Sequence, residues 1–187
     1  MDKALGYFLK AGENAEKVYA HGDATSYFQS ALELLEGRGE KLRQKGSVLE
    51  GLGDIKGLVG ENKACMKYWD EALAIWTKLH EKGKTATLHR KMAYVLWASM
   101  GDKEKAKEHH KAALAILETE PESAELARLY EDMGHMRRRM GQVTEALIWT
   151  EKALRLAEKL NALEVVAISC MELGLQVGWR GDFKKSL

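Results

Sequence analysis

The chain has 187 residues, 45% of them apolar and 30% charged, a balance that excludes both a disordered chain and a membrane-embedded one. Its 29 Lys and Arg residues against 28 Asp and Glu give a formal net charge of +1, whereas nucleic-acid-binding proteins normally carry a large positive excess. The sequence shows neither the ~20-residue apolar run of a membrane span nor a signal peptide. We therefore expect a cytoplasmic protein without nucleic acid or membrane among its partners.

The composition predicts helix along nearly the whole chain. Pro121 is the single proline, helix-favouring Ala, Leu, Glu and Lys are frequent, and strand-like alternation of Val, Ile and Thr does not appear. In chain order, the pattern predicts pairs consisting of a first and a second helix. First helices are expected at about 3–20, 40–59, 84–100, 122–140 and 162–180, and second helices at about 23–36, 61–81, 102–119 and 142–160.

Glycines with a constant spacing separate the two helices of each pair. Glycine adopts the left-handed backbone conformation that ends a helix without a Cβ penalty, and a polar, helix-starting stretch follows each of these glycines. An Ala-Leu pair recurs in the second helices with the same period, its alanine small enough for a neighbouring helix to approach closely. The glycines are Gly60, Gly101, Gly141 and Gly181, 41, 40 and 40 residues apart, and the pairs begin at Ala31, Ala72, Ala113 and Ala153.

A second set of positions connects these markers. Leu52-Gly53 and Leu173-Gly174 precede their turn glycines by seven residues, with Met133-Gly134 as a close variant. Together the positions resemble the tetratricopeptide repeat (TPR) family. The resemblance implies an all-α, right-handed α-solenoid of antiparallel helix hairpins with about 4.5 repeats in a single domain. The repeats would cover about 1–38, 39–82, 83–120, 121–161 and an incomplete 162–187.

The repeat departs from the commonest TPR form because its period is 40 to 41 residues instead of 34. The longer period resembles TPR arrays of signalling scaffolds and regulators. Residues 4–35 are also similar to the entry into TPR arrays of large regulators that carry an ATPase or cyclase module. The resemblance therefore implies a protein-interaction scaffold, a module of a larger regulatory protein.

Catalytic and nucleotide-binding motifs do not emerge from the sequence. The GLGDIKG stretch at 51–57 has its third glycine one place late for a dinucleotide loop and no strand before it. Cys65 and Cys170 lack a histidine at helical spacing, so both are expected to be small buried hydrophobic residues in a reducing compartment. We expect neither an enzyme nor a cofactor.

The histidines do not have the spacing of a metal site. Lys84 stands where a zinc-protease motif beginning at His80 would need its second histidine. His109 and His110 are adjacent, so on a helix they point about 100° apart. His110 shares its repeat position with Trp69 and is expected to pack between helices, and no metal site is predicted.

The first helices of stacked hairpins line the concave surface of a solenoid. Residues 88–100 and 163–179 carry more apolar side chains than one packed face needs, and the second stretch is apolar all round. We expect a groove with apolar walls and, between them, a polar segment that carries more positive than negative charge. Such a groove suits a protein partner that contributes an amphipathic helix or an extended peptide, with an acidic residue between two apolar anchor residues. The predicted groove residues are Leu88, Met92, Val95, Glu131, His135, Arg138, Ile168, Met171 and Leu175.

Two alternatives stay open at the sequence level. The surplus apolar face of residues 162–180 would be covered either by a continuation of the chain or by a second copy, which would make this a homo-oligomerisation or structural domain. The run Arg137–Arg139 is either a solvated helix end, favoured by the helix dipole, or a basic patch facing an acidic partner.

Overall fold

The computed structural model describes residues 2–179, with side chains through residue 176, and this part of the chain is helical and contains no strand. The all-α prediction is confirmed, and the predicted helix bounds are met to within a few residues. A short 3₁₀ segment, Gly39–Lys41, precedes α3. The helices are α1 (Asp2–Lys17), α2 (His21–Leu35), α3 (Leu42–Leu58), α4 (Asn62–Lys78), α5 (Lys82–Ala98), α6 (Lys103–Leu117), α7 (Ala124–Arg139), α8 (Val143–Lys159) and α9 (Leu163–Trp179).

The predicted turn glycines have the left-handed conformation that the sequence requires. Gly60, Gly101 and Gly141 have φ angles of 81°, 73° and 77°, while Gly181 lies outside the described residues. At Gly141 the C-terminal end of α7 is capped, because Gln142 donates its backbone N–H to the Arg137 carbonyl at 2.9 Å. The glycine spacing therefore marks real helix-to-helix turns.

Three turns use residues other than glycine in the same conformation. Tyr19, with φ 58°, occupies the position of Gly60 one period earlier. His80 and Asn161, with φ 55° and 54°, follow the second helices α4 and α8. Asparagine and histidine adopt this conformation more often than most residues do.

The chain forms two compact units, Met1–Ala106 and Lys107–Leu187. In the first unit, each helix from α1 to α5 packs against the next. In the second unit, α7 packs against α8, α8 packs against α9, and the two first helices α7 and α9 also touch. The division into repeats within a single domain remains a prediction.

The core of the first unit consists of two clusters of buried side chains. One joins α1, α2 and α3, and the other joins α3, α4 and α5. The recurring alanines Ala31 and Ala72 are fully buried, consistent with the close helix approach that their size permits. Trp69 and Trp76, both at most 4% exposed, fill much of the second cluster.

Glycines at the Leu-Gly position of the repeat have a packing role in three first helices, including Gly12, which lies 41 residues before Gly53. In each case, a Cβ on this first-helix glycine would overlap a side chain of the second helix located 16 residues later. At Gly53 the added atom would lie 2.3 Å from Trp69 Cδ1. The pairs are Gly12 with Phe28, Gly53 with Trp69, and Gly134 with Thr150.

We expect Gly53→Ala to destabilise the first unit by about 1–3 kcal/mol, because the new methyl group overpacks the α3–α4 contact. Gly6→Ala on α1 is the matched control, since a Cβ there meets no atom within 4 Å and only the gain in helix propensity of about 1 kcal/mol remains. Urea unfolding of both variants measures the difference. Equal stabilisation by both substitutions would show that the glycine is not required for packing.

Candidate functional site

The three groove residues predicted on α5 lie in the hydrophobic core. Leu88 and Met92 are fully buried, and Val95 is 9% exposed. They pack in the cluster that contains Trp69 and Trp76 of α4. The prediction of an accessible groove is therefore wrong for these side chains, because the α5 face that carries them is the face that packs on its neighbours.

The first unit has a charged network on α3 and α5. Lys91 Nζ lies 2.7 Å from Asp54 Oδ2 and 3.4 Å from Glu50 Oε1, and Lys84 Nζ lies 3.1 Å from Glu50 Oε2. Trp69 Nε1 also donates to Asp54, at 2.9 Å. Burial acts to lower the pKa of Lys91, but the two carboxylates outweigh it and the pKa is raised. These charges are thus largely satisfied within the unit.

In the second unit, three predicted residues of α7 lie near a carboxylate of α9 that the sequence analysis missed. Glu131, His135 and Arg138 recur on one helix face at i, i+4 and i+7. Arg138 donates to both oxygens of Glu172, with Nε 2.5 Å from Oε2 and the terminal nitrogen 3.1 Å from Oε1. His135 Nδ1 lies 2.8 Å from the same Oε1.

Glu172 is a buried carboxylate that is stabilised by hydrogen bonds from side chains of α7. Its side chain is 2% exposed, and burial alone would raise its pKa. The hydrogen bonds from Arg138 and His135 outweigh burial and hold the pKa below its ordinary value. The one sequence signal for this role is an acidic residue in the middle of an otherwise apolar helix.

Helix α9 turns its polar side chains inward. Ser169, Glu172 and Gln176 recur at i, i+3 and i+7 and are 0%, 2% and 0% exposed. Gln176 Nε2 donates to Thr150 Oγ1 of α8 at 2.9 Å, and Thr150 donates to the carbonyl of Ala146. Because α7 supplies hydrogen-bonding partners for Glu172 and α8 supplies one for Gln176, these two polar side chains of α9 pack inside the unit.

Apolar residues of α9 face outward as a result. Met171 is 58% exposed and Leu175 43%, with half-buried Ile168 one turn before them. We call these three residues the α9 face. What covers this face, a continuation of the chain or a second copy, stays a prediction; Val177 and Trp179 lie outside the residues with described side chains.

The helices α3 to α6 match a known repeat family. Residues 44–119 match the family model of the tetratricopeptide repeat. Residues 44–119 carry tetratricopeptide repeats. No curated protein has a matching sequence. Tetratricopeptide repeats (TPRs) are generally non-catalytic interaction scaffolds.

Solved structures extend the TPR fold over nearly the whole chain. BtubC (BKLC) from P. vanneervenii has a TM-score of 0.79 and 20% identity, over 94% of this chain and 72% of that one. A Rap protein complexed with Competence and Sporulation Factor has a TM-score of 0.80 and 21% identity, over 98% of this chain and 51% of that one. Putative kinesin light chain TPR-like repeats from Podosopora anserina give 0.73 and 14%, over 97% and 89%. The likeness confirms the predicted TPR solenoid fold.

The remaining predictions for individual TPR side chains have mixed outcomes. Cys65 is fully buried as predicted, and burial raises the pKa of its thiol to about 12. Cys170 is exposed on α9, so its predicted burial is wrong. His110 is 4% exposed, which confirms that it packs inside the protein.

The arginine run at the end of α7 is mostly engaged within its own TPR hairpins. Arg137 donates to Gln142 Oε1 at 2.9 Å, and Arg138 binds Glu172. Arg139 is exposed. Within residues 2–179, each helix is too short or too polar to cross a bilayer.

Proposed function

We propose that the chain is a protein–protein interaction scaffold whose α9 face binds an amphipathic helix or extended peptide of another protein. The observation that carries the proposal is the inverted polarity of α9, with Glu172 and Gln176 buried and Met171 and Leu175 exposed. Fully burying an apolar side chain of this size is worth about 1.5–3 kcal/mol, so two such anchors give a partner a favourable central contact. The TPR fold supports this proposal, and so does the solved Rap relative in complex with a factor.

The buried carboxylate changes the expected chemistry of the partner. Beside the α9 face, the carboxylate of Glu172 neutralises Arg138, and the carboxylate of Glu131 lies close to both His135 and Glu172. The positive charge that Arg138 was expected to give the groove is paired with Glu172. We propose a partner with two apolar anchors and a neutral or basic residue between them. Its natural context would be a larger cytoplasmic regulator, as the long-period resemblance implies.

We expect Met171→Glu and Leu175→Glu each to weaken binding at least about 30-fold, since losing a central apolar anchor costs about 2 kcal/mol or more. The probes are peptides selected from a random display library for binding to the wild-type chain, and fluorescence anisotropy measures their affinity for each variant. Ile148→Glu is the matched control, because Ile148 is 51% exposed but lies on α8.

Binding by the control should equal that of the wild type, and all three variants should keep their helical circular dichroism. Selected peptides that bind Met171→Glu and Leu175→Glu as tightly as the wild type would remove the α9 face from the proposal.

A homodimer through α9 is the second candidate, favoured by the same exposed apolar side chains. Multi-angle light scattering separates the two functions. A wild-type dimer that Met171→Glu converts to a monomer would favour self-association, whereas a wild-type monomer at high concentration would exclude it and leave the face to a different partner.

A further inference from the structure

Two helices of the second unit bring together three side chains with the donor atoms of a metal site. Glu131 and His135 lie on α7 and Glu172 on α9, and one ligand atom from each lies within 4.8 Å of the others. We propose that these three residues bind a divalent transition metal ion of the zinc type, which cross-links α7 to α9. The site lies beside the α9 face and does not rest on the proposed peptide binding.

The geometry of the three donors suits such an ion. Residues at i and i+4 share one helix face, so Glu131 and His135 present an oxygen and a nitrogen side by side. Zinc binds histidine nitrogen and carboxylate oxygen at about 2.0–2.2 Å, so two ligand atoms on one ion are at most about 4.4 Å apart. Small side-chain adjustments therefore close the site around one ion.

Charge and access also favour a cation. The two carboxylates offer a cation two negatively charged ligands. Arg138 donates to both oxygens of Glu172, a supporting role typical of the groups that orient metal ligands. A bound ion would share Oε1 with Arg138 and would replace the contact between His135 Nδ1 and Oε1. His135 is 30% exposed, so an ion can reach the site from solvent.

Two further oxygens on α9 flank the site. Ser169 Oγ lies one turn before Glu172 and Gln176 Oε1 one turn after it; both are buried and neither has a hydrogen-bond partner within the described protein. Buried polar atoms of this kind are normally satisfied by water or an ion. Both lie on the same face of α9 as Glu172, so the buried face of this helix is polar around the proposed ligand.

Isothermal titration of the chelator-stripped full chain with zinc chloride tests the proposal. We expect one zinc ion to bind per chain. Loss of a residue that only supports a metal ligand weakens binding roughly 10–100-fold, and we expect His135→Ala and Glu131→Gln each to weaken zinc binding by more than that. His80→Asn, at an exposed histidine of the first unit, and Cys170→Ser are the controls and should bind as the wild type does. Circular dichroism verifies that each variant is folded, and Glu131→Gln keeps the test decisive if His135→Ala does not fold.

Three results would overturn the site. Wild-type affinity in His135→Ala or Glu131→Gln would mean that zinc binds elsewhere. Loss of binding in Cys170→Ser would assign the ion to the exposed thiol. Failure to bind zinc, or tighter binding of magnesium or calcium than of zinc in parallel titrations, would exclude a transition metal site.

Discussion

Met92→Glu is expected to unfold the first unit. Met92 is fully buried among Leu88 and the two tryptophans of α4, so the new carboxylate would lose its hydration without a designed partner. The cost of several kcal/mol is comparable with the whole stability of a typical domain, about 5–15 kcal/mol. Circular dichroism at 222 nm and urea unfolding measure the loss of helix and of unfolding free energy.

Two matched variants separate burial from binding. Met92→Leu should cost less than about 1.5 kcal/mol, because the volume is nearly conserved. Met171→Glu should leave the unfolding free energy close to that of the wild type, since Met171 is 58% exposed. A folded Met92→Glu protein with normal stability and no peptide binding would instead place Met92 on an accessible groove.

Glu172→Gln is expected to destabilise the second unit by about 3 kcal/mol at neutral pH. The substitution removes the charge that compensates Arg138, whose side chain is 13% exposed, and breaking a buried ion pair from one side is strongly unfavourable. The exposed Glu108→Gln on α6 is the control for losing one carboxylate. Urea unfolding at pH 7 measures both variants.

The same variant changes how stability depends on pH. Since the pKa of Glu172 is lowered in the folded protein, the unfolded chain binds its proton first as the pH falls. The stabilisation is complete above the ordinary value of 4.5 and is lost as the pH falls through the folded-state pKa. Wild type should therefore lose more stability than Glu172→Gln between pH 6 and pH 3. Equal midpoints and parallel pH profiles would show that the Arg138–Glu172 pair contributes nothing.

The sequence predicted the hairpins well because their signals are local. A glycine that must adopt positive φ, followed by a polar helix start, marks a turn from a few residues alone, as at Gly60 and Gly141. Tyr19 occupies the same turn position without that signal, so its turn could be inferred only from the period. Fold class and helix bounds thus followed from spacing.

The site was harder to predict because periodicity shows which residues share a helix face but not which neighbour that face meets. Leu88 and Met92 on α5 and Met171 on α9 all belong to apolar stretches of first helices, yet only Met171 is exposed. Glu172, buried on the opposite face of α9, contacts residues 34 and 37 positions earlier in the chain. Such pairing between distant residues appears only once the helices are packed.

Methionine methyl NMR of the full chain, labelled at its eight methionines, tests the orientation of α9 and its role most directly. With a soluble paramagnetic probe, we expect the Met171 methyl signal to broaden strongly and the Met92 signal to stay sharp; a selected peptide should then shift Met171 and protect it from the probe. A Met171 methyl that is shielded in the free monomer, or unchanged at peptide saturation, would contradict a binding surface on α9.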